Sequence, residues 1–151
     1  SLFDKLMALG AETLLETLEG LEKGSIIPEK QGDSPTDYAK MLTKEMGLID
    51  FARTASELDC FVRGMNPWPS AYTTLDGKTL KIWRAKPVAE KGKAGSVLRV
   101  GKDSFVIGCG DNALEVFGVQ LEGKKRMSAG DFLKGTHIEA GKEFGGGFGS
   151  K

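Results

Sequence analysis

The chain has 151 residues, of which 40% are hydrophobic and 28% charged, and its 21 basic and 21 acidic side chains leave no net charge. This is an ordinary soluble composition, and the length suffices for one domain with an appendage. No apolar run approaches the roughly 18 residues of a membrane span, and no signal-peptide pattern is present. The composition therefore argues against a membrane protein.

The first 23 residues have the pattern of an amphipathic helix. Leucines recur along it at helical spacing, and Gly24 follows the last of them as a C-terminal cap. An apolar face of this length requires a packing partner. Either that partner is a domain absent from this chain, or two copies dimerise through the leucine face of residues 2–21.

Residues 25–53 are expected to form a linker with one short helix. The tetrapeptide Ser34-Pro35-Thr36-Asp37 is typical of a helix start, and the apolar spacing that follows predicts a helix up to Met46, ended by Gly47.

A second amphipathic helix begins at the capping box Thr54-Ala55-Ser56-Glu57. Apolar residues then follow at positions typical of a helix that packs on a core. Cys60, within this pattern, is expected to be buried as a small apolar residue, whereas Arg63 lies off the apolar stripe and is expected to face solvent. The helix is expected to end before Pro67, which lacks an amide hydrogen.

Strand-like runs separated by turn residues follow this helix. Asp76-Gly77 between two such runs predicts a two-residue hairpin turn. The predicted strands are Ala71–Leu75, Lys78–Ala85, Ser96–Val100, Ser104–Cys109 and Ala113–Leu121. The last strand is apolar on both faces, with Phe117 predicted on the same face as Val119, so it is expected to be central or to lie under a helix. A short helix capped by Ser128 and ended by Gly135 comes next.

These elements predict a mainly β fold with short helices. Its C-terminal domain is expected to be an OB-like Greek-key β-barrel, preceded by a helical remnant and a linker. The expected segments are residues 1–24 as a terminal helix, 25–53 as the linker, 54–144 as the OB-like domain and the glycine-rich 145–151 as a flexible tail.

The charged residues are divided unevenly. Residues 1–77 contain 7 Lys and Arg against 13 Asp and Glu, a net charge of −6, whereas residues 78–151 contain 14 against 8, a net charge of +6. This asymmetry indicates that the second half meets an anionic partner, or that the two halves attract each other within the fold.

The positive charge of the second half includes a cation beside an aromatic ring. On an extended strand Lys81 and Trp83 share a face, which suits phosphate contact together with stacking on an unpaired base. The alternative is that Trp83 packs under a helix while the lysines form a solvated edge. Arg84 falls on the side of Leu80 and Ile82, so it is expected to be partly buried in an ion pair.

Two other features have structural and functional interpretations. Lys124-Lys125-Arg126 places three cations in a turn after the last long strand, where they could contact phosphates or be solvated. Trp68, held between two prolines, is expected to be a structural plug between the preceding helix and the barrel.

Candidates for catalysis are few. His137 is the single histidine, and without an orienting partner it is expected to be structural rather than an acid or base. Cys60 and Cys109 have no metal-ligand spacing and indicate a reducing, cytosolic compartment. No phosphate loop, nucleophile elbow or metal motif is present.

Several motifs resemble those of the methionyl-tRNA formyltransferases. Asn66-Pro67-Trp68-Pro69 followed by Lys81-Ile82-Trp83-Arg84-Ala85 is similar to the start of that family's C-terminal domain, and the residues from Gln120 to Gly135 are similar to its end. The first 22 residues resemble the last helix of its formyl-transfer domain, so that the resemblance covers nearly all of residues 1–144. Ser70 departs from the family pattern, in which glycine is usual.

The resemblance implies a role in translation initiation. Members of the family transfer a formyl group from 10-formyltetrahydrofolate to the methionine of initiator tRNA, and their C-terminal domain helps to hold the acceptor arm of that tRNA through a basic surface. The catalytic residues and the folate site belong to a domain upstream of Ser1. This chain alone is therefore expected to have no catalytic residue, cofactor site or metal site and to be inactive.

The tRNA-binding role carries over to the cations that match the family's basic surface. These are Lys81, Arg84, Lys124, Lys125 and Arg126, with Arg63, Lys78 and Lys86 as secondary candidates.

Two alternatives stay open at this point. One is the C-terminal domain of another folate-dependent formyltransferase or hydrolase that acts on a non-nucleic substrate. The other is a non-catalytic interaction module whose basic face pairs with its own acidic half. The latter predicts ion pairs between the cations of Lys78–Arg84 and carboxylates of residues 1–77.

Overall fold

The computed structural model describes residues 2–36 and 38–145. The chain divides into two compact units, Ser1–Ala39 and Lys40–Lys151. The predicted flexible tail, apart from Gly145, lies outside the described residues.

The first unit contains helix α1, Leu2–Glu22, which confirms the predicted N-terminal helix. Gly24 has a φ of +66°, the left-handed conformation expected of a C-terminal cap. Just beyond it, the side chain of Ile26 folds back onto Gly20, the buried residue of α1. The leucines of α1 are exposed, from 73% at Leu2 to 46% at Leu21. Dimerisation through them stays a prediction.

The helix expected between Ser34 and Gly47 is not formed over that length. The helical residues in the described part of this segment are Glu45–Gly47, a single 3-10 turn. Tyr38 and Met41, expected on its apolar face, are each 87% exposed. Without burial of that face, nothing offsets the cost of nucleating a helix.

Helix α2, Ala55–Gly64, begins at the predicted capping box. Oγ1 of Thr54 accepts a hydrogen bond from the N–H of Glu57 at 3.2 Å, and the Glu57 carboxylate accepts one from the N–H of Thr54 at 3.0 Å. Arg63 is exposed, as expected. The prediction for Cys60 is wrong: it is exposed, because it points away from the stripe formed by Leu58 and Val62.

The second unit contains a six-stranded antiparallel sheet. Its strands are β1 Ala71–Leu75, β2 Lys78–Val88, β3 Val97–Val100, β4 Phe105–Gly108, β5 Ala113–Leu121 and the short β6 Met127–Ser128. The hairpin turn at Asp76-Gly77 is confirmed, because both residues have positive φ values, 50° and 75°. Helix α3, Ala129–Gly135, follows β6 and is capped by Ser128 as predicted.

The strand order is β1-β2-β5-β4-β3, with β6 paired to β5. Strand β5 is therefore central, as its two apolar faces predicted. The strands do not close into a continuous ladder, an arrangement consistent with an OB-like fold. The prediction of a mainly β domain with short helices is confirmed.

A non-strand segment, Gly141–Gly145, connects to both edges of this open sheet. The N–H of Phe144 donates to the carbonyl of Gly95, just before β3, at 2.8 Å. The N–H of Gly145 donates to the carbonyl of Thr74 in β1 at 3.1 Å. The segment thus supplies hydrogen bonds where the strand ladder has none.

The core lies between the sheet and helices α2 and α3. Its fully buried side chains come from every layer and include Leu58, Leu80, Phe105, Leu114 and Val119. No helix among the described residues combines the length and the apolarity needed to cross a membrane.

Candidate nucleic-acid interface

The outer face of β2 carries the first part of the site. Leu80 and Ile82 are buried in the core, whereas Lys81 and Trp83 are half-buried on the opposite side of the strand. This confirms the predicted common face of Lys81 and Trp83.

A register irregularity then turns the next residue outward. Between Ile82 and Ala85 the pairing of β2 with β5 shifts, and Arg84 lies opposite Gly118. Arg84 is exposed and has no carboxylate partner in the described part of the chain, so the expectation of a partly buried ion pair is wrong. Strict alternation would have placed its side chain in the core, and the irregularity removes that alternation.

The same irregularity reorients Phe117 on β5. Val116 and Val119 are both fully buried, although three residues apart, and Phe117 does not share the face of Val119. The ring of Phe117 instead lies 5.7 Å from the Arg84 guanidinium, which is positioned for a cation–π contact.

Arg126, in the turn before β6, completes the site. Its guanidinium carbon lies 4.6 Å from the centroid of the Trp83 ring, and Nζ of Lys81 lies 5.8 Å from the same ring. Arg126 and Arg84 also line one shallow groove, and Arg84 and Lys86 line the next. We refer to Lys81, Trp83, Arg84, Lys86 and Arg126 as the basic strip.

Two hydrogen bonds link Trp83, through Gln120, to the turn that carries Arg126. The indole Nε1–H donates to Oε1 of Gln120 at 3.2 Å, and Nε2 of Gln120 donates to the carbonyl of Lys124 at 3.0 Å. Trp83 therefore packs against cations instead of lying under a helix, and its ring and its N–H both position the turn.

The cations of the basic strip have no acidic partners among the residues that the structure describes. Within the described residues none of them lies in an ion pair, whereas Arg99 and Lys93 elsewhere on the surface pair with glutamates. Glu115 faces Lys86 across the strands, but its carboxylate accepts from the hydroxyl of Ser104 at 2.5 Å. The interaction-module hypothesis requires ion pairs between the cations of Lys78–Arg84 and carboxylates of residues 1–77. Such pairs are not found in the described parts of the chain.

The remaining predicted cations are not part of the basic strip. Arg63 forms an ion pair with Asp59 at 3.1 Å, and the hydrogen bond from Arg63 to this carboxylate raises the pKa of the guanidinium. Lys124 lines a groove beside α3, and Lys78 and Lys125 are exposed without ion pairs to any described carboxylate.

Another groove adjoins the basic strip, and the sequence interpretation did not identify its lining as a site. Trp68, expected to be a structural plug between α2 and the barrel, is 53% exposed. Together with Lys44 and Tyr72 it lines a groove that also reaches Lys81. Lys44 could have been found only by knowing that its segment runs beside β1, since it is far from the other cations in sequence.

Nothing in the described residues resembles a metal site or an activated nucleophile. No cluster of three potential metal ligands is found among them. Burial, followed by the nearby negative charge of Asp111, raises the pKa of the Cys109 thiol to about 11, so it is protonated at neutral pH. His137 is exposed, with Nε2 3.6 Å from the Glu139 carboxylate.

Comparison with known proteins assigns the family. Residues 41–137 match the family described as formyl transferase, C-terminal domain. The chain is 52% identical over 152 residues to a methionyl-tRNA formyltransferase of Lachnospira eligens, covering 96% of the chain and 48% of that protein. It is 50% identical over 145 residues to one of Geobacter metallireducens, covering 96% and 47%. The chain thus spans about half the length of these relatives.

Solved structures with a similar fold include HypX from Aquifex aeolicus. One variant of that protein is 25% identical, with a TM-score of 0.58 over 85% of this chain and 24% of HypX. Together with the match over residues 41–137, which takes in every strand of the sheet and the whole basic strip, these similarities establish that the chain belongs to the formyl transferase C-terminal domain family.

Proposed function

We propose that the chain is the tRNA-binding portion of a cytoplasmic methionyl-tRNA formyltransferase. In this proposal it holds the acceptor arm of initiator tRNA while a separate domain transfers the formyl group. That domain would take the formyl group from 10-formyltetrahydrofolate and attach it to the amino group of the bound methionine. By itself this chain would bind tRNA without catalysing the transfer.

The observation that carries the proposal is the basic strip. Its four cations come from β2 and from the turn before β6, lie along one outer face and are not neutralised by described carboxylates. Such a surface attracts a polyanion, and phosphate contacts from Lys and Arg give an affinity that depends on salt. The high identity to proteins named methionyl-tRNA formyltransferase supports tRNA as the polyanion.

Titration of initiator tRNA across a salt series tests this proposal. Each neutralised phosphate contributes a slope of about −0.9 for a duplex or −0.7 for a single strand, so four cations predict a slope of about −3 to −4 in a plot of log K against log salt concentration. Arg126→Ala is expected to reduce the slope by about one. Lys102→Ala, which removes an exposed lysine from the β3–β4 turn, is the matched control and is expected to leave it unchanged.

Two results would contradict the proposal. A flat salt response would mean that no phosphates are bound, and would favour a formyltransferase or hydrolase with a non-nucleic substrate. A double charge reversal, Lys125→Glu with Arg126→Glu, is expected to weaken initiator and elongator tRNAs nearly equally, because phosphate contacts carry little sequence information. Unchanged affinity in that variant would exclude the turn from the interface.

A further inference from the structure

The groove beside the basic strip has an exposed indole and two lysines. Its lining residues are Lys44, Trp68, Pro69, Tyr72, Thr79 and Lys81, and its volume is about 280 Å³. This volume is close to the lower end of the range for small-molecule sites, which suits a single nucleotide better than a duplex. Because Lys81 also lies over the Trp83 ring, the groove is continuous with the basic strip.

Trp68 is exposed although the loop that carries it is anchored. Pro67 and Pro69 flank it and restrict its backbone, and the neighbouring Ser70 is buried. The N–H of Ser70 donates to the carbonyl of Met65 at 2.8 Å, which ties this loop to the end of α2. The indole is therefore presented at low entropic cost, as in aromatic side chains that bind ligands.

Lys44 is brought to the groove by close backbone packing. A side chain at Gly47 would place its Cβ 2.3 Å from the carbonyl oxygen of Ser70, so only glycine lets the 3-10 turn approach this loop so closely. The N–H of Ile49 then donates to the carbonyl of Tyr72 in β1 at 2.8 Å. These contacts hold Lys44, at the start of the turn, on the same groove as Lys81.

Trp83 and Trp68 differ in whether the indole ring is available to a ligand. The Trp83 ring already has Lys81 and Arg126 over it, and its N–H is bonded to Gln120. Trp68 has no cation or hydrogen-bond partner among the described residues. Stacking on an indole tolerates any base, and an ammonium group beside the ring suits the phosphate of the same nucleotide.

We propose that this groove is a stacking subsite for one unpaired nucleotide of the RNA that the basic strip holds. The base stacks on Trp68, and its phosphate is bound by Lys44 and Lys81. The inference rests on the proposed function, because it takes the ligand of the adjoining strip to be RNA. It adds that the chain binds a single-stranded segment next to a duplex.

Binding measurements with two RNAs distinguish this subsite from the basic strip. One is a blunt hairpin, and the other is the same hairpin with four unpaired nucleotides at its 3′ end. We expect the overhang to raise affinity. Trp68→Ala is expected to reduce that gain in affinity by a factor of about 5 or more, the value of one stacked base. Lys44→Ala is expected to remove about 3-fold of the gain by loss of one phosphate contact. Lys102→Ala is again the control and is expected to have no effect.

The outcomes distinguish the two proposals. If neither RNA binds in a salt-dependent manner, both proposals fail. If the blunt hairpin binds but the overhang adds no affinity, or if Trp68→Ala weakens both RNAs equally, the subsite is excluded and the basic strip stands. Lys44→Ala changes an exposed lysine and cannot unfold the core, so it decides the question even if Trp68→Ala proves unstable.

Discussion

Trp83 connects the cations of the basic strip to the framework that carries them. Two cations lie over its ring, and its N–H begins a pair of hydrogen bonds that ends on the backbone of Lys124. A half-buried indole with all of these contacts is a positioning residue, because it holds the groups that would meet phosphates in the proposed complex. The hypothesis that Trp83 itself stacks on a base would require an available ring.

Replacement of Trp83 tests this positioning role. Trp83→Leu is expected to lower tRNA affinity roughly 5-fold to 30-fold, the equivalent of losing two cation–π contacts of about 0.5–1 kcal/mol each. Gln120→Leu is expected to lower affinity as well, because Gln120 is hydrogen-bonded to the turn that carries Arg126. Filter binding at fixed salt measures both. A wild-type affinity for Gln120→Leu beside a large loss for Trp83→Leu would instead favour direct stacking.

The backbone conformation at Ser70 bears on the departure from the family pattern that the sequence shows there. Its φ of +71° lies in the left-handed region, where glycine is free of the strain that other residues carry. Here the serine adopts this conformation and is buried, beside the exposed Trp68.

At the scale of elements, α2 is capped from two directions. Its own capping box satisfies the first turn, and Oδ1 of Asp111, from the β4–β5 turn, accepts a hydrogen bond from the N–H of Ala55 at 2.9 Å. This bond, followed by those from Asn112 and the residue's own backbone, lowers the pKa of the Asp111 carboxyl below its usual 3.8. The position of α2 over the sheet is therefore linked to an ionised carboxylate.

This linkage predicts a pH dependence. Because the pKa of Asp111 is lower in the folded than in the unfolded chain, its contribution to the free energy of unfolding is fully present above the unfolded value, near 3.8, and is lost as the pH falls through the folded value. Asp111→Asn is expected to be less stable than wild type at pH 7 and to approach it as the pH falls below the lowered pKa of the folded protein. Urea unfolding at a series of pH values measures this. A constant difference between the two proteins across that range would show that Asp111 acts only by geometry.

At the scale of the whole domain, Gly141–Gly145 joins the two edges of the open sheet. Phe144, 5% exposed, places its ring 5.8 Å from that of Phe105 in the core, while its backbone bonds to Gly95. An open sheet with two free edges is exposed to mispairing, and this segment covers both edges. Its residues lie beyond the part of the chain that matches the family, which ends at residue 137.

Truncation of Phe144 tests the role of this segment. Phe144→Ala is expected to lower the free energy of unfolding by about 3–5 kcal/mol, the range for buried phenylalanines. Phe3→Ala, at a phenylalanine that is 73% exposed on α1, is the matched control and is expected to change it little. Chemical denaturation monitored by circular dichroism measures both. A loss below about 1 kcal/mol for Phe144→Ala would mean that the sheet is stable without its covering segment.

The sequence by itself determined the elements whose signals are local. Apolar spacing, capping residues and the Asp-Gly turn identified α1, α2, α3 and the five long strands, because each of these signals acts within a few residues. The cations at Lys81 and Arg126 were likewise recognised from their neighbours in the chain. The helix predicted after Ser34 failed because its apolar face finds no partner in the described structure, a condition that periodicity cannot reveal.

Only the tertiary structure decided how these parts meet. The register irregularity that turns Arg84 and Phe117 outward depends on which residues of β5 face β2, and no local pattern encodes that pairing. Three features join residues that are distant in sequence. Lys44 and Trp68 line one groove, Arg126 lies over the Trp83 ring, and the segment at Phe144 bonds to both sheet edges. Such contacts arise from packing of the whole domain, so the fold decided the shape of the candidate interface, whereas the cations Lys81 and Arg126 could be recognised from the chain.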